Sequence, residues 1–295
     1  VHSQTILLPV DGTPGADRAV ELLAGYRGKP AQIYVIAANM QARPVAIWPE
    51  ASVDVRSIEE ALLAGGREIA QQAVARLRAS GMSADSVVRL GFAAGGIVRE
   101  AESCQARLIV MGTRGHGALR GFAVGSVAMR VAQGSAVPVC LVRPDSTLPA
   151  QLGRGLRVML ALDGSDPALR AAEKLASWRS WLGELDVQIV YVQQPLSYLE
   201  TVLPPHDDVV RQWSSQAGED AARPARELFA KEGIRDHLHL TIGDPAVEIV
   251  HLASETGCEL VVMGTRGLGA AHHAFIGSVA LKVAAHAAAP VVLVK

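Results

Sequence analysis

Two stretches of the chain set the same glycines and the same serine at the same spacing: Gly112-x2-Gly115-x9-Gly125-Ser126 and Gly264-x2-Gly267-x9-Gly277-Ser278. In full they read VMGTRGHGALRGFAVGSV from Val110 to Val127 and VMGTRGLGAAHHAFIGSV from Val262 to Val279. Each leaves an apolar strand at Met-Gly, crosses a loop with a second glycine, and ends on a Gly-Ser pair that opens a helix. A residue without Cβ lets the backbone take positive φ and brings its N–H groups close to a ligand. The unpaired N–H groups and positive dipole end of a helix start suit an anion, and a serine hydroxyl there adds a neutral donor. The chemistry implied is a phosphate cradle, present twice, with a loop long enough to wrap a polyphosphate. The competing reading is a plain strand-to-helix turn with a serine cap, which the duplication disfavours.

Asp11 and Asp163 each follow an apolar strand and precede Gly-Thr or Gly-Ser. A carboxylate there can accept from a ribose hydroxyl or an adenine amino group, and it can equally form the turn itself. Arg114 and Arg266, inside the loops, are either phosphate partners or solvated side chains. His116 occurs in the first copy alone. The adjacent His272 and His273 do not face one point, and His237 with His239 lacks an evident third metal ligand. Trp178 and Trp181 read as core or interface residues. No G-x-S-x-G elbow and no G-x4-GK[ST] loop is present, so neither a serine hydrolase nor a P-loop NTPase is indicated.

The elements that must hold these residues alternate. Thr5–Val10, Ile33–Ala38, Val87–Leu90, Leu108–Met111 and Val137–Val142 are predicted strands, with helices from Pro14 to about Ala24, from about Val55 to Ser80, from Gly95 to Cys104 and from Ser126 to Gln133. The same cycle restarts at Val158–Leu162. It continues through one helix from Pro167 to Trp181, a strand Val187–Val192, a helix Asp207–Lys231, strands Leu238–Ile242 and Leu260–Met263 around a helix Ala246–Glu255, and a last strand Val291–Val294. Asp11 and Asp163, Gly91 and Gly243, Gly112 and Gly264, Gly125 and Gly277, and Pro138 and Pro290 all stand 152 residues apart. About the second strand a slip of roughly four residues is expected between the copies, from a longer preceding helix in the second half. The expected architecture is α/β: two tandem, doubly wound, five-stranded parallel-sheet domains over 1–146 and 156–295, joined by a linker over 147–155 with turn composition. In such sheets ligands sit beyond the carboxyl ends of the strands where the winding reverses. The strand-one Asp and the strand-four glycine loop meet there if strands one and four are neighbours.

Composition bounds the function classes. With 49% apolar and 19% charged residues, 295 residues suffice for two packed cores and leave little room for long disordered tails. A formal charge of −1 gives no basic field for nucleic acid. Three cysteines without metal spacing support neither a disulfide framework nor a structural zinc site. The first residues lack the pattern of a signal peptide, and no stretch reaches the roughly 18 apolar residues of a membrane span. A cytoplasmic location with no membrane association is expected.

The residues just described resemble a tandem member of the universal stress protein family over nearly the whole chain. VDGT at Val10–Thr13 and LDGS at Leu162–Ser165 look like its opening strand and turn, GDPAVEIV at Gly243–Val250 like its segment before strand four, and GFAAGGIV at Gly91–Val98 is a looser match. G-x2-G-x9-G-[ST] is the signature of the family's ATP-binding branch, and both copies are intact. The resemblance implies a Rossmann-like sheet of order 3-2-1-4-5 that binds ATP, with ADP or AMP as alternatives and Mg2+ as the nucleotide's companion. It places Pro9, Val10 and Asp11, or Ala161, Leu162 and Asp163, beside the adenine and ribose, with Ile36 or a neighbour and Val192 on the base. It assigns Gly112, Gly115, Gly264 and Gly267 to ribose and phosphates, and Gly125, Ser126, Val127, Gly277, Ser278 and Val279 to the terminal phosphates. Arg107 and Glu259 depart from the family's usual Asp before strand four, a difference expected to concern the surface. The function implied is a nucleotide-dependent stress-response regulator with at most slow hydrolysis. The alternatives are an ATPase or phosphotransfer enzyme using the same cradle, and a scaffold with vestigial sites. The apolar fifth strands are expected to pack the two halves as a pseudo-dimer, with further homodimerisation open.

Overall fold

The computed structural model describes residues 4–42, 55–113, 124–194, 207–267 and 276–295, with the main chain alone over 207–214. Two compact units divide the chain, Val1–Asp145 and Ser146–Lys295. The first contains β1 (Gln4–Pro9), α1 (Pro14–Ala24), β2 (Ile33–Gln41), α2 (Val55–Ala79), β3 (Ser83–Leu90), α3 (Ala93–Ser103), β4 (Leu108–Gly112), α4 (Ser126–Gly134) and β5 (Val139–Val142). In the second come β6 (Gly155–Ala161), α5 (Asp166–Ser177), α6 (Arg179–Leu182), β7 (Glu184–Gln193), α7 (Asp207–Glu232), β8 (Arg235–Ile242), α8 (Pro245–Glu255), β9 (Leu260–Gly264), α9 (Ser278–His286) and β10 (Val291–Val294).

Within each unit the strands are parallel, in the order β3-β2-β1-β4-β5 and β8-β7-β6-β9-β10. The central strands are apolar throughout because both their faces are covered: Ile6, Leu7 and Leu8, like Val158, Met159 and Leu160, are at most 1% exposed. The helices flank the sheet on two sides. In β2 the side chain of Asn39 meets Gly66 of α2, and that of its neighbour Met40 meets Gly96 of α3. Successive strand residues point to opposite faces, so α2 and α3 cover opposite sides. The winding therefore reverses between β1 and β4, paired at Ile6–Leu108 and Leu7–Ile109, and between β6 and β9, paired at Val158–Leu260.

Helix α1 starts where the sequence asks it to: the Thr13 hydroxyl accepts from the Ala16 N–H at 3.4 Å, and Pro14 occupies the first turn. Ser165 does the same for Ala168 in α5. Gly12 and Gly164, just before these caps, have φ of 76° and 82°.

Several expectations change, among them the starts of β3, β6 and β8, which lie earlier than expected at Ser83, Gly155 and Arg235. The slip at the second strand is absent. β1 pairs Pro9 with Ala38, and β6 pairs Ala161 with Val190, so the 152-residue offset holds there too. Ile33 to Ala38 is a continuous apolar run, and such a run carries no period from which a register can be read. β2 also runs on past Ala38 through Asn39, Met40 and Gln41, because those residues still pair with Val88, Arg89 and Leu90 of β3. Finally, the helix expected over Pro167–Trp181 divides at Trp178 into α5 and the short α6, which stops at Gly183 with φ 87°.

A Cβ at Gly164 would touch the Ala221 Cβ at an ordinary 3.5 Å, so space is not the constraint there; the left-handed φ is. Gly164→Ala is expected to destabilise the second unit by about 1–2 kcal/mol, read as a lower urea midpoint. An unchanged midpoint would show that the turn relaxes at no cost.

Candidate functional site

Each unit carries a cleft at its switch point. The first, of about 240 Å³, is lined by Pro9, Val10 and Asp11 at the end of β1, Met40 of β2, Ile97 of α3, Gly112 and Thr113 at the end of β4, and Gly125, Ser126 and Val127 at the start of α4. The second, of about 540 Å³, is lined by the equivalent Ala161, Leu162, Asp163, Val192, Ile249, Gly264, Thr265, Gly277, Ser278 and Val279, together with Tyr191, Gln193, Gln194, Arg266 and Gly267.

The two aspartates do form the turn. Oδ1 of Asp11 accepts from the Thr13 N–H at 3.1 Å and from its hydroxyl at 2.5 Å; Oδ1 of Asp163 accepts from the Ser165 N–H and hydroxyl at 3.0 and 2.6 Å. The same carboxylates line the clefts, so turn and site coincide. In the second unit Asp163 also acts on a neighbour. Burial first, and then this carboxylate, push the Tyr191 phenol above its ordinary pKa and keep it neutral.

The reason for glycine differs from the one expected, since Gly112, Gly125, Gly264, Gly267 and Gly277 all have ordinary φ. Close approach is the constraint at three of them. A Cβ on Gly112 would collide with the Gly15 and Ala16 backbone in the first turn of α1, and one on Gly264 would come within 2.9 Å of Pro167 and the Ala168 nitrogen in α5. At Gly267 it would strike Oδ2 of Asp163, so the loop passes directly over the carboxylate. Gly277 is different: its Cβ would make only ordinary contacts of 3.5 and 3.6 Å.

Helices α4 and α9 open onto the clefts with Gly125 and Gly277 as their N-caps, and neither cap offers a side chain to the helix N–H groups. The glycine N–H itself is spent. Gly125 donates to the Thr113 carbonyl at 2.6 Å and Gly277 to that of Thr265 at 2.8 Å, which closes the base of each loop. The N–H groups of Ser126 and Val127, and of Ser278 and Val279, remain as the first donors of each helix, beside two exposed serine side chains. Behind them lie Thr113 and Thr265, 0% and 4% exposed, whose hydroxyls have no hydrogen-bond partner. An orphaned buried hydroxyl costs about 1–3 kcal/mol, and here it recurs at the same place in both units.

Comparison with known proteins decides the family. The model of the "Universal stress protein family" matches residues 2–143 and again 156–295. The chain belongs to the universal stress protein family. A universal stress protein of Mycolicibacterium smegmatis is 25% identical over 98% of this chain and 96% of its own length. Another, of Thermus aquaticus, is 35% identical over 47% of this chain and 97% of its own. Among solved structures, a universal stress protein from Archaeoglobus fulgidus shares the fold over 100% of this chain and 97% of its own, at 22% identity and a TM-score of 0.69.

In this universal stress protein the clefts gather all but two of the predicted contact residues. Ile36 is one of the two. It pairs with Leu7 and Asp85, four residues back along β2 and outside the cleft lining, and its counterpart in β7 is Gln188, whereas Val192 corresponds to Met40. Gly115 lies outside the described residues, as do Arg114, His116, His272 and His273. Thr113 and Thr265 went unread although both copies spell MGTRG. Tyr191, Gln193 and Gln194 carried no motif. Of the remaining candidates, His239 pairs with Gln188 at 2.8 Å and His237 lies 3.6 Å from Asp186. Among the described residues no group of three His, Cys, Asp or Glu side chains could hold a metal. Trp178 and Trp181 are core residues, 5% and 6% exposed, with ring centroids 5.8 Å apart. No helix among the described residues is long and apolar enough to cross a membrane.

The two kinds of glycine separate experimentally. Gly112→Ala and Gly264→Ala should each destabilise their unit by about 1–3 kcal/mol through overpacking, whereas Gly277→Ala should leave the melting temperature within a degree or so of the parent protein. Equal melting temperatures for Gly264→Ala and Gly277→Ala would refute the packing role.

Proposed function

We propose that each half of the chain binds an adenine nucleotide, ATP in the first place, and that occupancy makes the protein a nucleotide-dependent regulator of a stress response. The observation that carries this reading is the convergence, at one point in each unit, of an uncapped helix start, an orphaned buried threonine hydroxyl and an aspartate. The helix N–H groups and the serine hydroxyl suit the phosphates, and the aspartate suits the ribose. Pro9, Val10 and Met40, or Ala161, Leu162 and Val192, give the flat base an apolar wall. Gly267 crosses Asp163 so closely that a Cβ would displace Oδ2 of the carboxylate, which fits a loop that lies against its ligand. Mg2+ would arrive with the nucleotide, held by phosphate oxygens and water more than by protein.

Slow hydrolysis at most fits the same residues. Asp11 and Asp163 are the sole carboxylates among the described residues lining the clefts, and each already holds a hydroxyl and an N–H through Oδ1. Membership of the family supports the stress-response role, and the cytoplasm is the compartment proposed for it.

Calorimetry of the intact chain with Mg-ATP should give a total near two nucleotides per chain. Gly125→Ala with Ser126→Ala should abolish one of them, and Gly277→Ala with Ser278→Ala the other. No heat of binding with any adenine nucleotide would overturn the proposal. Turnover lost on Asp11→Asn with Asp163→Asn would instead favour an ATPase.

A further inference from the structure

The two clefts are built from equivalent residues and differ in size by about a factor of two, 240 against 540 Å³. Small-molecule sites fall at about 300–1,000 Å³, so the second lies inside that range and the first below it. Among the described lining residues the copies differ at Pro9 and Ala161, Val10 and Leu162, Ala38 and Val190, and Ala93 and Pro245, and by the longest side chain at the end of the second strand. Where β7 has Val192, β2 has Met40, which lines the first cleft and reaches α3, its sulfur within 2.8 Å of where a Cβ of Gly96 would stand. An unbranched thioether of that length fills a cleft edge that a valine leaves open.

The neighbouring position differs as well. Asn39 is 1% exposed; its Nδ2 donates to the Val10 carbonyl at 2.8 Å, and its Oδ1 accepts from Gln41 Nε2 at 2.8 Å. That chain of amides ties the end of β2 to the turn after β1. Its counterpart is Tyr191, whose ring lies against Gly218 of α7 and lines the second cleft, with the phenol 3.2 Å from Gln193 Oε1. An aromatic face at a cleft wall offers a base a stacking surface. The first site has an amide lock there and the second an aromatic wall.

We infer that the two sites are unequal, that the second unit holds the tight nucleotide site, and that Met40 and Tyr191 set the difference. The inference rests on the nucleotide-binding reading above. A methylene more or less against a bound group changes affinity by about 10- to 200-fold, so a separation of at least about tenfold is expected.

Titration of the intact chain with Mg-ATP should resolve two binding events at least about tenfold apart. Gly277→Ala with Ser278→Ala should remove the tighter one. Met40→Val should tighten the weaker event about tenfold, and Val192→Met should weaken the tighter one by a similar factor. The reciprocal pair protects the test against a misfolded variant, since each change sits in a different unit and the event of the unaltered unit serves as the internal control. Two equivalent events in the parent protein, or loss of the tighter event on Gly125→Ala with Ser126→Ala, would overturn this inference and leave nucleotide binding standing. The absence of any binding would overturn both.

Discussion

The contact on which the rest depends is the approach of a strand end to a helix start. Gly112 reaches the backbone of Gly15 and Ala16, and Gly264 reaches that of Pro167 and Ala168, at distances that exclude a side chain. This sets the end of β4 against the first turn of α1, and the end of β9 against that of α5. The turn that caps each of those helices carries Asp11 or Asp163, so the same approach brings glycine loop and carboxylate to one cleft. Fold and site are therefore not separable at these glycines. A residue there that failed to pack would also open the cleft.

Around that contact the polar groups are distributed economically. The threonine and serine that cap α1 and α5 use their hydroxyls to hold the aspartate and the helix N–H together. At α4 and α9 the cap position is a glycine, and the first helix N–H groups face the cleft instead. The difference between a capped and an uncapped start is what separates helices that only support the sheet from those that also present donors to it.

Much of this was legible in the sequence. Alternating apolar runs and helical segments, the VDGT and LDGS turns, and the constant offset between copies carried the two-fold βα architecture and the strand that bears each aspartate. Two things were not. The register of β2 was hidden because Ile33 to Ala38 is an unbroken run of apolar side chains with no polar alternation, and its last residues, Asn39 to Gln41, are polar or flexible and are held in the ladder by pairing with β3. Ile36 was taken for the contact residue for that reason, four positions short of Met40. The purpose of the glycines was also hidden. Spacing shows that a glycine is required, but only coordinates distinguish a left-handed φ from a collision with a neighbouring backbone, and at Gly112 and Gly264 it is the collision.

One hydrogen bond has a further meaning. The N–H of Gly125 on the Thr113 carbonyl, and of Gly277 on that of Thr265, fastens the two feet of each loop to one another. Closure entropy grows only slowly with loop length, so once the feet are joined, the span between them can change its sequence without disturbing the strand before it or the helix after it. Beyond the shared MGTRG the two copies do so: HGALRGFAV in one stands opposite LGAAHHAFI in the other, before an identical GSV. Each unit thus separates a fixed foundation from an exchangeable insert.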